Sequence, residues 1–224
     1  MAGREKQASF ITQGIILAAA SVIVRLIGLI YRIPLANTIG DDGLGAYSNA
    51  FEVYNIALLL STYSIPTAIS KLISEREDKK EYTNSFHLLK VGLVFAAVLG
   101  FIASLLLFVG ADFIAEYVFK EADRSTAIPL KVLAPTILVF SIMGVIRGFF
   151  QGKHTVIPTS VSQILEQIVN AVVSVVAAKL LISHFSASEQ ISAYGAAGGT
   201  LGTLCGALTA LIFLLFIFLS YYPY

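Results

Sequence analysis

Apolar residues run almost without interruption through six stretches of this chain, at residues 9–36, 44–71, 86–110, 128–150, 157–182 and 194–220. A membrane-spanning helix needs roughly 20 mostly apolar residues. The pattern therefore predicts an all-α integral membrane protein, a six-transmembrane-helix bundle forming a single transmembrane domain over residues 1–224. Arg4 and Lys6 ahead of the apolar Gly14–Val24 run imitate a secretory leader. The apolar stretch continues past Arg25 to Ile33, however, and five further spans follow, so a retained first helix is the better reading. Between the second and third spans, Lys71, Glu75, Arg76, Glu77, Asp78, Lys79, Lys80 and Glu81 form a charge run that cannot lie in hydrocarbon. It reads as a solvated loop or a helical extension. Residues 111–127 mix Phe113, Ile114, Tyr117 and Phe119 with Asp112, Glu116, Lys120, Glu121, Asp123 and Arg124, the pattern of an interfacial amphipathic segment.

Composition agrees with the pattern. The chain is 57% hydrophobic and 13% charged, with a mean hydropathy of +0.82. A soluble domain carries about twice that charged fraction, and no soluble core of this size hides so much apolar surface, so lipid must be the solvent. A net charge of +1 gives no electrostatic footprint for nucleic acid. The lone Cys205 excludes an internal disulfide and a cysteine metal cluster, and His87, His154 and His184 show no ligand spacing. There is neither a phosphate loop nor a nucleophile elbow, so the chain reads as a non-enzyme without cofactor or metal. Basic residues orient it. With the N-terminus in the cytoplasm, Arg4, Lys6, Lys71, Arg76, Lys79, Lys80, Lys90, Arg147 and Lys153 lie inside a cell membrane and Lys120, Arg124, Lys131 and Lys179 outside, nine against four.

Candidate chemistry lies with the charges inside the spans. Arg25, Glu52 and Glu166 fall well within them, and Arg32 nearer the outer end of the first. Each such charge costs about 2.5–3.5 kcal/mol on insertion scales, so each needs a partner or a function. Ser21, Arg25, Gly28 and Arg32 share one helical face. Ser48, Glu52, Asn55 and Thr62 share another, and Gln163, Glu166, Gln167, Asn170 and Ser174 form a stripe on the fifth span. Three polar stripes imply a hydrated cavity or a partner surface. Alternatively the charges pair with each other, Glu52 with Arg25 for example, and simply hold the bundle; Glu52 or Glu166 could also be a proton or sodium site. Gly195, Gly199, Gly202 and Gly206 form a ridge suited to close helix packing. Pro66, Pro135 and Pro158 mark kinks or first-turn positions, and Asp41-Asp42-Gly43 predicts a tight turn between the first two helices.

Arg25-Leu26-Ile27-Gly28-Leu29-Ile30-Tyr31-Arg32-Ile33-Pro34, followed by Ile39-Gly40-Asp41-Asp42-Gly43-Leu44-Gly45 and Ser64-Ile65-Pro66-Thr67, resembles the opening of polysaccharide-biosynthesis flippases of the MurJ/SpoVB/YtgP type. These belong to the multidrug/oligosaccharidyl-lipid/polysaccharide exporter (MOP) superfamily. Arg147-Gly148-Phe149-Phe150-Gln151-Gly152 resembles the end of that family's fourth helix, and Pro158 through Gln163, Glu166 and Gln167 its fifth. The resemblance implies two six-helix lobes that rock to expose a central cavity alternately, and a substrate of undecaprenyl-pyrophosphate-linked sugar such as lipid II. It matches Arg25 and Arg32 to the family's first-helix arginine pair. It thereby implies substrate contacts from Arg25, Arg32, Glu52, Asn55, Gln163, Glu166, Gln167 and Asn170, with the lipid-linked oligosaccharide and membrane lipid as partners. Asn170 stands where relatives often carry an arginine. Such proteins hold about twice as many helices, so the expectation is an incomplete product that lacks its C-terminal lobe; pairing with a second copy or a separate lobe is the alternative. Competing readings are one half of a multidrug or cation antiporter of the same superfamily, and a non-transporting scaffold in envelope or spore assembly.

Overall fold

A backbone in hydrocarbon must satisfy every N–H and C=O within its own segment, so long apolar runs become helices. The computed structural model describes residues 2–62, 64–121 and 124–221, with side chains from Thr12 onward. The side chains of Arg4 and Lys6, and Asp123, lie outside the described residues. In chain order the elements are α1 (Ala2–Ser61), α2 (Ile65–Asp78), α3 (Tyr82–Phe113) running into a π-helical turn (Ile114–Val118), α4 (Ala127–Gly152), α5 (Ile157–His184) and α6 (Ile191–Tyr221). Among the described residues, five helical stretches are long and apolar enough to cross a membrane, the first being the 67 residues Thr12–Asp78. α3 to α6 overlie the last four predicted spans and continue a few residues beyond them.

The region of the first two predicted spans is organised differently. α1 runs through Asp41, Asp42 and Gly43, where the sequence predicts a turn, and reverses instead on Gly40 at φ 69° and ψ −178°. That conformation is essentially open to glycine alone. Its two arms fold back on one another. Tyr31 Oη and Tyr47 Oη, 16 residues apart in sequence, lie 3.3 Å from each other, whereas a straight helix would separate those residues by about 24 Å. Asp41 and Asp42 thus begin the second arm, at a helix end whose dipole favours carboxylates.

The predicted second span is broken between Ser61 and Ile65. Proline lacks an N–H and its ring clashes with the preceding turn, so Pro66 takes the first turn of a new helix rather than the interior of an old one. Gly144, Gly148 and Gly152 of α4 make room for that helix. A Cβ on Gly148 would lie 2.6 Å from the Pro66 carbonyl oxygen, and one on Gly152 would lie 2.7 Å from that of Ser70. The charge run is carried on α2 as a helical extension to Asp78. Pro158 also occupies a first turn, while Pro135 lies inside α4.

α5 and α6 meet along a second glycine seam. Cβ atoms on Gly198, Gly202 and Gly206 would fall 2.4 Å from Ala178 Cα, 2.6 Å from the Asn170 carbonyl oxygen and 2.5 Å from the Glu166 carbonyl oxygen. Gly202 and Gly206 belong to the predicted ridge. The other two predicted ridge glycines also pack closely, Gly195 on Ile182 of α5 and Gly199 on the Tyr47 ring of α1, and Gly198 joins the seam. On α3, Gly92, Ala96, Gly100, Leu107 and Ala111 are buried, while Val94, Val98, Phe101, Leu105 and Val109 are exposed, an apolar surface suited to lipid.

Polar contacts gather at two ends of the bundle. At one, Lys153 Nζ lies 3.1 Å from Glu77 Oε1 and over the rings of Tyr82, Phe86 and Phe149. At the other, in the segment predicted as interfacial, Glu121 accepts hydrogen bonds from Thr126 N at 2.8 Å, Thr126 Oγ1 at 2.6 Å and Asn49 Nδ2 at 3.2 Å. It ties the start of α4 to the second arm of α1. Lys131 pairs with Asp112 nearby at 2.7 Å.

Candidate functional site

A charge within an apolar helix persists only on a face turned from lipid or toward a partner. Arg25, Gly28 and Arg32 step by three and four residues, which puts them on one face of the first arm of α1. That face forms one wall of a cleft of about 410 Å³, completed by Tyr31 and Leu29 and, from the second arm, by Tyr47, Phe51 and Asn55. The Tyr31–Tyr47 hydroxyl contact joins the two walls. Phe51 continues the aromatic surface, its ring centroid 4.6 Å from that of Tyr47 and 5.8 Å from that of Tyr54. Gly28 is a point of close approach: a Cβ there would lie 3.2 Å from Gln167 Nε2, so α5 brings this amide up behind the arginine stripe. Arg25 and Arg32 are exposed, and among the described residues neither has a carboxylate within ion-pair distance. Glu52 is exposed on the second arm and lines neither this cleft nor the next; the Glu52–Arg25 pair is not formed.

A second cleft, of about 340 Å³, lies where α1 breaks into α2. Leu58, Thr62 and Pro66 form one side, and Phe140, Gly144, Arg147, Gln151 and Gln163 the other. Arg147 Nη2 donates to Glu166 Oε2 at 2.8 Å, and its Nε donates to Ser162 Oγ at 3.1 Å. The two charged side chains are only 12% and 18% exposed. Glu166 is therefore the partner of a residue that the sequence groups with the cations at span ends. α4 continues to Gly152, which carries Arg147 more than a turn inside the bundle. Two buried polar atoms near this pair, Gln163 Oε1 and Tyr54 Oη, have no hydrogen-bond partner among the described residues.

Asn170 lies elsewhere. It is 8% exposed, and its Oδ1 accepts from Ser174 Oγ at 2.9 Å and faces Thr203 Oγ1 at 3.5 Å, within the α5–α6 seam. Of the eight residues singled out in the sequence, Arg25, Arg32 and Asn55 share the first cleft with Gln167 beside it. Gln163 lines the second cleft and Glu166 stands behind it. Glu52 and Asn170 join neither.

The family model described as polysaccharide biosynthesis protein matches residues 11–223. The chain is 32% identical to stage V sporulation protein B of Bacillus subtilis, over 92% of this chain and 38% of that protein. It is 31% identical to the lipid II flippase MurJ of the same organism, over 89% of this chain and 37% of that protein. It thus spans little more than a third of the length of these relatives. A MOP superfamily transporter from Pyrococcus furiosus superposes with a TM-score of 0.74, over 91% of this chain and 44% of that one; at 14% identity the likeness is one of fold.

Proposed function

Because the chain belongs to the polysaccharide biosynthesis protein family, we propose that this multi-pass membrane protein forms the N-terminal lobe of a flippase for undecaprenyl-pyrophosphate-linked sugars, lipid II foremost. The observation that carries this reading is the pair of exposed guanidinium groups, Arg25 and Arg32, with no carboxylate partner among the described residues that line their cleft. Arg binds phosphate oxygens bidentately through a planar fork of donors. A cation exporter needs the opposite, a carboxylate in the cleft, and Glu52 lies outside it. The two arginines start about 10 Å apart along the helix axis, a spacing that suits a headgroup longer than one phosphate. In this reading Arg25 and Arg32 hold the diphosphate, while Asn55 and Gln167 hydrogen-bond the sugars, Gln163 meets the headgroup at the second cleft, and Glu52 stands at the rim. Glu166 acts through Arg147, and Asn170 supports the seam behind.

The helices cross the membrane six times, since the 67 residues Thr12–Asp78 would measure about 100 Å as one helix against a hydrocarbon core of about 30 Å. The end that holds Lys79 and Lys153 faces the cytoplasm, as the basic residues require, and residues 1–224 act as one lobe. The open polar cleft faces a second lobe, carried on the same polypeptide or by another copy. Access alternates as the two lobes rock.

Binding of a short-chain dialkyl pyrophosphate to the detergent-purified chain tests the assignment. Arg25→Gln with Arg32→Gln should weaken it tenfold or more, since a hydrogen bond to a charged group contributes about 1.5–3 kcal/mol. Unchanged binding overturns the assignment. A preference for lipophilic cations over the pyrophosphate would point instead to a drug exporter.

A further inference from the structure

The lobe carries cationic chemistry at two levels, and only one is free. Asn55 lines the first cleft and Thr62 the second, so the clefts open along the same arm about 10 Å apart. In the second, the Arg147 guanidinium uses Nη2 on Glu166 and Nε on Ser162. A guanidinium has five N–H donors, and among the described residues Nη1 has no acceptor. Gln151 and Gln163 flank it in the pocket, and Gln163 Oε1 is buried without a partner. These groups make a polar recess larger than the ion pair itself requires.

What faces Glu166 is sparse. α4 supplies Arg147 and the second arm of α1 supplies Tyr54 with its unpartnered hydroxyl, while α6 brings Gly206 against the Glu166 backbone carbonyl and, among the described residues, places no ion-pairing group on the carboxylate. On α5 itself the polar neighbours are Ser162, Gln163 and Asn170, all uncharged. Among the described residues, Arg147 alone is within ion-pair distance of this carboxylate. A pair this far from water is held together by mutual need: neutralise one partner and the other seeks a new counter-charge.

We propose that the recess formed by Arg147, Gln151 and Gln163 is a second phosphate subsite, opened by protonation of Glu166. With Glu166 ionised, Arg147 is engaged and the recess rejects anions. When the carboxylate takes a proton from the aqueous phase, Arg147 transfers its hydrogen bonds to a phosphate oxygen. Proton and phosphate therefore bind together, and each raises the affinity for the other by the same factor. This inference rests on the flippase reading, and it supplies the step that links headgroup movement from one cleft to the next with proton uptake.

The test follows binding of a dialkyl pyrophosphate to the detergent-purified chain between pH 5.5 and pH 8. Such a diester lacks the second phosphate ionisation near about pH 6, so its own charge stays constant. The unmodified chain should bind about tenfold tighter at the acid end, the factor given by one pK unit of coupling. Glu166→Gln should bind at that acid-end affinity throughout. Arg147→Gln alone strands a buried carboxylate and risks misfolding. The double variant Arg147→Gln, Glu166→Gln removes both charges and should lose the acid gain while keeping the binding due to Arg25 and Arg32. A flat profile in the unmodified chain, or Glu166→Gln binding no tighter than the unmodified chain at pH 8, overturns the subsite. If binding is flat with pH yet lost in Arg25→Gln, Arg32→Gln, the flippase reading stands without the gate. If the unmodified chain binds at no pH, the flippase reading falls as well.

Discussion

Arg147 and Glu166 show how differently one contact can be valued. A desolvated ion pair contributes little over a neutral pair of the same shape, but losing one member leaves a charge that neither water nor protein satisfies. At 12% and 18% exposure, Arg147→Gln is expected to destabilise the folded chain by about 3 kcal/mol, whereas the double variant with Glu166→Gln should return to within about 1 kcal/mol of the original. Unfolding in detergent reads both values; a double variant as unstable as the sum of its singles would contradict the pairing. The charge of Glu166 inside a span is plain in the sequence, and so is the face it occupies. Its partner is not, because a contact between α4 and α5 leaves no periodicity in either helix. Asn170 gives the same lesson in reverse. It falls on the same polar stripe as Gln163 and Gln167, but the stripe is broad, and its far edge rolls into the seam with α6, where Ser174 and Thr203 occupy the amide oxygen.

At the level of elements, glycine spacing decides which helices approach closely. Gly202 and Gly45 are both helical glycines, yet their surroundings are opposite. A Cβ on Gly202 would lie 2.6 Å from backbone atoms of α5, while Gly45 has nothing within 4 Å. Gly202→Ala should therefore push α5 from α6 and destabilise by about 1–3 kcal/mol. Gly45→Ala should stabilise by about 0.5–1 kcal/mol through the reduced entropy of the unfolded chain. Equal effects at the two sites, measured by thermal unfolding, would show that the seam is not tightly packed. Long apolar runs made the helices legible, since lipid leaves the backbone no other regular choice among α-type segments. The turn between the first two was less so. Asp41-Asp42-Gly43 carries the stronger turn composition, yet a single glycine in a conformation other residues avoid is enough to reverse α1, and Gly40 is that residue. The break before α2 follows from Pro66, whose place at a first turn rather than a kink depends on the Gly144, Gly148 and Gly152 ridge it docks against.

For the whole molecule, the proposed six crossings turn on the hairpin at Gly40, which lets Thr12–Asp78 pass the membrane twice and thereby sets which cleft would open to which side. In that reading, with α1 folded on itself, Asp42, Lys120 and Ser186 share one side of the membrane, while Lys79, His154 and the start of α1 share the other. If Thr12–Asp78 crossed only once, the N-terminus would lie opposite Lys79 and Asp42 would be held within the bilayer. Single cysteines placed at Asp42, Lys79, Lys120, His154 and Ser186, all exposed, distinguish these arrangements. They are introduced after Cys205→Ala removes the half-buried native thiol. In intact cells an impermeant maleimide should label Asp42→Cys, Lys120→Cys and Ser186→Cys, and should reach Lys79→Cys and His154→Cys only after permeabilisation. An unreactive Asp42→Cys would remove the hairpin from the membrane topology, and with it the alignment of Arg25 and Arg32 against Asn55. The reverse labelling pattern would keep the hairpin but invert the lobe, placing the Arg147 recess at the outer face. Proton uptake at Glu166 would then accompany headgroup release rather than entry, so the side from which Lys79 reacts determines the direction in which a proton gradient can drive the headgroup.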